Sequence, residues 1–263
     1  MARGLYDHVD IFRREVDHCL QTTDDLLDFN LKEILFPAPA QFHSAEKKFS
    51  QTIAALPALF SIEYSLAKVM EELGVESYGM LGHSVSEYVA ACLVGVFYIE
   101  TALQIVVKRA ELAQGIPEGA MLAVALSEKD AKQYVTDRIS LAATLAQNQC
   151  VVSGYLDSMK ELEDHLRGKG VECKRVRVSR AFHSMMLDPL LEEFETFLIS
   201  MEMNPPKIPF ISGITGQWID KEEVQTADYW VHQFRYPVRL FEGISEVVKL
   251  QGQHLLRSVR ERC

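Results

Sequence analysis

The sequence is poor in several features that mark whole classes of protein. Unbroken apolar runs of about 18 residues, the signature of a membrane-spanning helix, do not occur, so no spanning helix is expected. The opening residues, Met1-Ala2-Arg3-Gly4-Leu5-Tyr6-Asp7-His8, lack the apolar core of a secretory signal. Cysteine is scarce. There are five, an odd number without CxxC spacing, which fits free thiols in a reducing cytosol better than a disulfide framework. Cys92 and Cys150 lie in apolar runs and read as core. Positive charge is in deficit: 27 Lys and Arg against 37 Asp and Glu leave a net charge of −10. That balance argues against nucleic acid and against a polybasic membrane surface. No internal repeat or low-complexity tract is present.

What is present describes a globular chain. The 263 residues suffice for one large domain or two small ones, and 48% apolar with 24% charged content fits a packed core. The organising stretch is Gly82-His83-Ser84-Val85-Ser86. It follows the apolar Tyr78–Leu81 and opens a segment, Ser86 to Val94, that is apolar almost all round. Strand, sharp turn and buried helix is the expected order. Gly two residues before Ser84 and a small residue two after it suit a nucleophile elbow, in which flanking side chains would collide. The helix N-terminus behind the serine favours developing negative charge.

In chain order, residues 1–35 carry Leu5, Val9, Phe12, Val16 and Leu20 at helical spacing. A loop with Pro37, Pro39 and Ser44 follows, and Pro57 reads as a first-turn residue of a helix that stops at Gly74. Ile99–Gln114 reads as a helix with a stripe of Ile99, Leu103, Val106, Ala110 and Ala113. Arg109 lies about 60° off that stripe, facing either a cleft or solvent. The region from Ala120 alternates strand at Met121–Leu126, helix at Glu128–Ile139, strands at Leu141–Ala146 and Cys150–Ser153, helix at Asp157–Gly168 and strand at Val171–Val178. That β-α-β-β-α-β succession is the ferredoxin-like order. It is expected as a subdomain of residues 119–183 inserted into a larger one formed by 1–118 and 184–263. A helix from Pro189 to Met201, a strand at Ile208–Ser212 and a last helix near Phe241–Leu250 complete the chain.

Four blocks now stand in one order: Gly82-His83-Ser84-Val85-Ser86-Glu87-Tyr88, Lys108-Arg109-Ala110, Arg180-Ala181-Phe182-His183-Ser184, and Tyr229-Trp230-Val231-His232-Gln233 with Pro237-Val238-Arg239. Together they resemble the malonyl-CoA:acyl carrier protein transacylases, and most closely the acyltransferase domains of modular polyketide synthases. The resemblance implies an α/β fold, an α/β-hydrolase-like core carrying the ferredoxin-like lobe. It implies Ser84 as nucleophile on the thioester of malonyl-CoA and His183 as general base, then acid. It implies the Val85 N–H as an oxyanion donor, Arg109 as anchor for the malonyl carboxylate, and a backbone carbonyl at Gln233 that orients His183. The product is a malonyl group on the phosphopantetheine thiol of an acyl carrier protein. No metal or redox cofactor is implied, and the location is cytoplasmic.

Ala181-Phe182-His183 looks like the malonyl-type signature of that family, in which Phe182 crowds the site of a 2-methyl group; ordinary core packing is the other account of Phe182. Lys174, Arg175, Arg177 and Arg180 are a candidate docking patch for the acidic carrier protein, or a solvated edge. The resemblance begins past the family's first strand and its Gly-Gln-Gly-Ser-Gln loop, the source of a second oxyanion donor. It also stops before a strand and Gly-Pro turn near the far end. The chain is therefore expected to be a domain truncated at both ends. Two other readings stay open: a catalytically impaired fragment that keeps docking contacts, and a serine hydrolase with its acid at Asp130, Asp137, Asp157 or Asp164.

Overall fold

The computed structural model describes residues 2–250 and 255–256. Helices dominate, and seven strands are present among the described residues: β1 Met80–Leu81, β2 Gly119–Val124, β3 Ile139–Ala146, β4 Gln149–Tyr155, β5 Cys173–Arg175, β6 Phe210–Ile211 and β7 Val238–Arg239. The class is mixed α/β. β1 and β6 pair in parallel as a sheet of two, fewer strands than the expected α/β-hydrolase-like core suggests. The other five form one sheet in the order β5-β2-β4-β3-β7.

The first four strands of that sheet pair antiparallel throughout, the arrangement that two interleaved β-α-β crossovers produce. Alternation explains its two faces. Ala120, Leu122 and Val124 turn one way, with Leu141, Cys150 and Val152, onto Met159, Leu162 and Leu166 of the helix Leu156–Gly168. Met121 and Ala123 turn the other way, with Ala142, Ala143 and Val151. This second face is closed by β7, which joins β3 in parallel, and by Leu240 at the start of the helix Leu240–Val248. The sheet is thus completed by a segment beyond residue 183. Glu242 accepts from the Thr144 hydroxyl at 2.6 Å, and Arg239 pairs with Glu128 at 2.7 Å. The first and last parts of the 119–183 segment also meet: Gly119 N–H donates to the Ser179 carbonyl at 3.1 Å, and a Cβ at Gly119 would lie 2.6 Å from that of Ala181.

The main core lies between the helices Ser86–Leu93 and Ile99–Gly115 and the later helices Leu191–Ile199 and Ala227–Arg235, around Tyr88, Phe97, Phe194, Trp230 and Phe234. A second apolar cluster joins the helix Asp10–Asp24, through Phe12, Val16 and Leu20, to Ala54, Ala58 and Ile62 of the helix Thr52–Glu72. The helix Thr52–Glu72 is, among the described residues, long and apolar enough to cross a membrane. Glu63 and Lys68 interrupt it, so it escapes a search for unbroken runs. It packs against both Asp10–Asp24 and Ile99–Gly115.

Several boundaries depart from the pattern reading. Pro57 is not in the first turn but six residues into its helix, because the Gln114 side chain accepts from the Thr52 N–H at 2.9 Å and starts the helix earlier. Ser44 lies in a helix, Phe42–Phe49, rather than a loop. The helix expected over 128–139 stops after Glu128–Ala131 and one tighter turn to Tyr134; Val135 turns extended and Thr136 N–H bonds the Ile139 carbonyl, leading straight into β3. The strand expected over 171–178 is in register with β2 across Cys173–Arg175, and its backbone bonds to that strand run from Glu172 to Val176.

Candidate active site

The elbow is built by close approach. A Cβ at Gly82 would overlap the backbone of Ser86 and Glu87, so only glycine permits the chain to turn back there. Ser84 sits in the left-handed region at φ 55°, a conformation that costs a non-glycine residue free energy and marks functional positions. The next turn closes through Ser86 N–H to the His83 carbonyl and Glu87 N–H to the Ser84 carbonyl, both at 3.1 Å. The Val85 N–H takes part in neither. The Ser84 carbonyl accepts a second donor, Gln233 Nε2, at 2.8 Å. A trans peptide directs its C=O and N–H to opposite sides, so these two bonds together aim the Val85 N–H away from the helix.

His183 reaches this turn from 99 residues further along the chain. It too is left-handed, at φ 54°, and is buried. Its Nε2 lies 2.8 Å from Ser84 Oγ, and its Nδ1 lies 2.9 Å from the Tyr236 carbonyl. A carbonyl only accepts, so Nδ1 carries the proton and Nε2 is left to receive one from the serine. Burial, and then the charge of Arg109, hold the imidazole well below its ordinary pKa. It is a neutral base at neutral pH.

Arg109 completes the group. It is fully buried, and Nη2 donates to Ser84 Oγ at 3.1 Å. The guanidinium lies over the Tyr88 ring at 5.4 Å and the Phe234 ring at 5.3 Å, held by cation–π attraction from both. Nε and Nη1 have no partner. A buried cation with two idle donors, beside a serine hydroxyl, leaves two charge-assisted bonds open to an anion. Serine, imidazole and guanidinium therefore converge from three separate segments.

The whole of residues 1–255 matches the family model described as acyl transferase domain. The chain belongs to that family. Among curated relatives, a phenolphthiocerol/phthiocerol polyketide synthase of Mycobacterium tuberculosis is 35% identical over 256 residues, 97% of this chain. The spectinabilin polyketide synthase system protein NorB of Streptomyces orinoci is 33% identical over 252 residues, 94% of this chain. The chain spans 17% and 12% of those two relatives' lengths. The solved acyl transferase domain of ZmaA superposes with a TM-score of 0.87 at 35% identity, over 95% of this chain and 58% of that one. The acyl transferase domain of SpnD, in complex with 2-(pent-4-yn-1-yl)malonyl, gives 0.86 at 34%, over 95% of this chain and 59% of that one.

In this acyl transferase domain one expected residue role moves. The carbonyl that orients His183 belongs to Tyr236, not Gln233. Gln233 is inside the helix Ala227–Arg235, whereas Tyr236 caps it in extended conformation and turns its carbonyl out of the helix. Gln233 acts instead through its side chain, on Ser84. Phe182 is half-buried against the main core. Of the basic residues, Arg175 pairs with Glu163 at 2.6 Å and Arg180 folds back on the Gln114 carbonyl at 3.1 Å. No aspartate stands behind His183: its Nδ1 is taken by a main-chain carbonyl, while Asp157 pairs with Arg138 and Asp130 bonds Ser127. Pattern reading also passed over Glu87, a fully buried carboxyl one turn beyond Ser84. A lone acid in a helix that is otherwise apolar all round was the available signal.

Proposed function

We propose that this chain carries a malonyl group from malonyl-CoA, through an ester on Ser84, to the phosphopantetheine thiol of an acyl carrier protein. The observation that supports it is the convergence of a serine–imidazole pair at 2.8 Å with a buried arginine 3.1 Å from the same oxygen. The imidazole makes a nucleophile of a hydroxyl that is barely ionised at neutral pH. The arginine selects acyl groups that carry a second carboxylate.

The steps follow from the bonds. Ser84 Oγ attacks the thioester carbonyl as its proton passes to His183 Nε2. The Val85 N–H meets the oxyanion; the imidazolium that forms is held by the Tyr236 carbonyl. The C–S bond breaks, and His183 returns its proton to the departing CoA thiol. The carrier's thiol then attacks the ester, gives its proton to His183, and Ser84 leaves with that proton restored. Phe182 disfavours a 2-methyl substituent by about 1–3 kcal/mol, a real but leaky preference. Residues 119–183 act as the smaller lobe, with the site at its seam with the larger. Among the described residues Cys19, Cys92, Cys150 and Cys173 are free thiols, which suits a cytoplasmic setting.

The test is intact-protein mass spectrometry after incubation with malonyl-CoA. One malonyl adduct is expected, transferable to a phosphopantetheinylated carrier protein and absent from Ser84→Ala. A wild-type protein that folds and gains no mass refutes the reading.

A further inference from the structure

An open recess of about 460 Å³ lies where the chain enters and leaves the 119–183 segment. Gln114 and Glu118 line it on the way in; Arg177, Val178, Ser179 and Arg180 line it on the way out. The two crossings are tied together where the Gly119 N–H donates to the Ser179 carbonyl at 3.1 Å. Each crossing leads directly to a group of the candidate active site. Gln114 shares a helix with Arg109 and lies five residues beyond it, about 7.5 Å along the axis. Arg180 stands three residues before His183.

The acyl-transfer steps leave both arginines unused. Arg180 donates from Nε and Nη2 to the Gln114 carbonyl, at 3.3 and 3.1 Å, and from Nη1 to the Ser179 carbonyl at 3.1 Å. It closes the C-terminal end of the Arg109 helix in this way, and one N–H on each terminal nitrogen stays open. Arg177 is exposed, and among the described residues no hydrogen bond or ion pair engages its guanidinium. Glu118 is exposed and likewise unpaired. Two arginines and one glutamate give the lining a charge of +1, in a chain that carries −10. Val178, 38% exposed, adds an apolar surface beside them. A fixed guanidinium, a free one and an apolar wall suit a phosphate ester on an apolar stem. Malonyl-CoA and the carrier protein share one such group. In the pantetheine arm about thirteen bonds separate the sulfur from the phosphorus, roughly 16 Å when extended. Arg177 is six residues from His183, so their Cα atoms are at most about 20 Å apart. A phosphate held here leaves its thioester within reach of Ser84, and the gem-dimethyl carbon next to the phosphate ester meets Val178.

We propose that this recess binds the phosphate of 4′-phosphopantetheine, with Arg177 and Arg180 as its donors. One site then serves both half-reactions, because CoA and the loaded carrier present the same phosphate at the same distance from the sulfur. The proposal rests on the acyl-transfer reading for the identity of its ligand.

The test compares two malonyl donors: malonyl-CoA, and malonyl-N-acetylcysteamine, whose arm ends before the phosphate. Arg180 also holds the Arg109 helix, so the residue to change is Arg177, whose side chain is exposed and bonded to nothing in the fold. In Arg177→Ala the ratio of kcat/KM for malonyl-CoA to kcat/KM for malonyl-N-acetylcysteamine is expected to fall about tenfold, the scale of one charge-assisted bond on a solvent-facing wall. The fall is expected in KM, since the phosphate is held equally before and during the chemical step. A ratio that Arg177→Ala leaves unchanged overturns the proposal. A loss seen only with the phosphopantetheinylated carrier also overturns it, and makes Arg177 a contact for the carrier's own surface. Calorimetry on the same proteins needs no acyl transfer. Free 4′-phosphopantetheine is expected to bind the wild type about tenfold more tightly than pantetheine, and Arg177→Ala is expected to lose that margin. Equal binding of the two by the wild type overturns the proposal. The expected margin with no malonyl ester on Ser84 refutes the substrate assignment and leaves this inference standing.

Discussion

Arg109→Met separates two roles that the arginine could hold. The side chain is fully buried between two rings, with Nη2 on Ser84 Oγ and with Nε and Nη1 idle. Methionine has similar length and fills the slot between Tyr88 and Phe234 with favourable sulfur–ring contacts. The variant therefore removes charge without opening a large cavity. A bidentate grip on a malonyl carboxylate uses two charge-assisted hydrogen bonds, each worth about 1.5–3 kcal/mol. Their loss amounts to about 3–6 kcal/mol, or about 10²–10⁴-fold in loading. Acetyl loading should change by less than about tenfold, since acetyl has no carboxylate to lose. Stability should not fall, because a buried guanidinium with two unpartnered donors is itself a burden. The assay is quenched-flow loading from malonyl-CoA and acetyl-CoA, read by intact mass, alongside urea unfolding. Equal loss for both acyl groups would mean that Arg109 serves Ser84 rather than the acyl carboxylate, and would refute the anchor assignment. Malonyl loading within tenfold of wild type would refute it as well.

Other outcomes follow from the same geometry. Gly82→Ala forces a methyl into the backbone of Ser86 and Glu87; it should cost about 1–3 kcal/mol in urea unfolding and abolish the Ser84 adduct. His183 titrates well below 6.5 because it is buried beside Arg109. The base is active when unprotonated, so loading should hold steady through pH 6.5 and fall only at more acid pH. A rate that halves near pH 6.5 refutes the depressed imidazole. Glu87 binds its proton more tightly when folded, with a carboxyl raised from 4.5 to about 7. Its contribution to stability is therefore full below pH 4.5 and is lost as pH rises towards 7, by about 3 kcal/mol in total. Glu87→Gln should remove that slope from the pH dependence of the unfolding free energy; an unchanged slope refutes the raised carboxyl.

Much of this architecture is written locally. The 3.6-residue stripe of Ile99, Leu103, Val106, Ala110 and Ala113 names its own buried face, and all five are buried. The apolar run from Met121 marks β2 as a strand, and the structure buries it on both faces. Gly82 before Ser84 announces a turn too tight for a side chain. Such signals need only a few consecutive residues, because backbone geometry fixes the period. Boundaries are less legible where a distant group intervenes. Gln114 starts a helix at Thr52, so Pro57 ends up inside it. The 171–178 strand shows its alternation over eight residues, but its bonds to β2 run only from Glu172 to Val176.

What the sequence determined by itself was therefore the inventory: a strained serine turn, a histidine after a small-aromatic pair, an arginine just off an apolar stripe, and a β-α-β-β-α-β segment. Tertiary structure alone decided which of these meet. It turned Arg109 inward between two rings, brought His183 across 99 residues to 2.8 Å from Ser84, and gave the orienting carbonyl to Tyr236 rather than Gln233. It also set the Glu87 carboxyl against the Gly213 N–H and the Tyr229 hydroxyl. The physical reason is range. Period and turn chemistry act over a single helical turn, whereas these contacts arise only when separate elements pack and a carbonyl or carboxyl must find whatever donor the packing leaves within 3 Å.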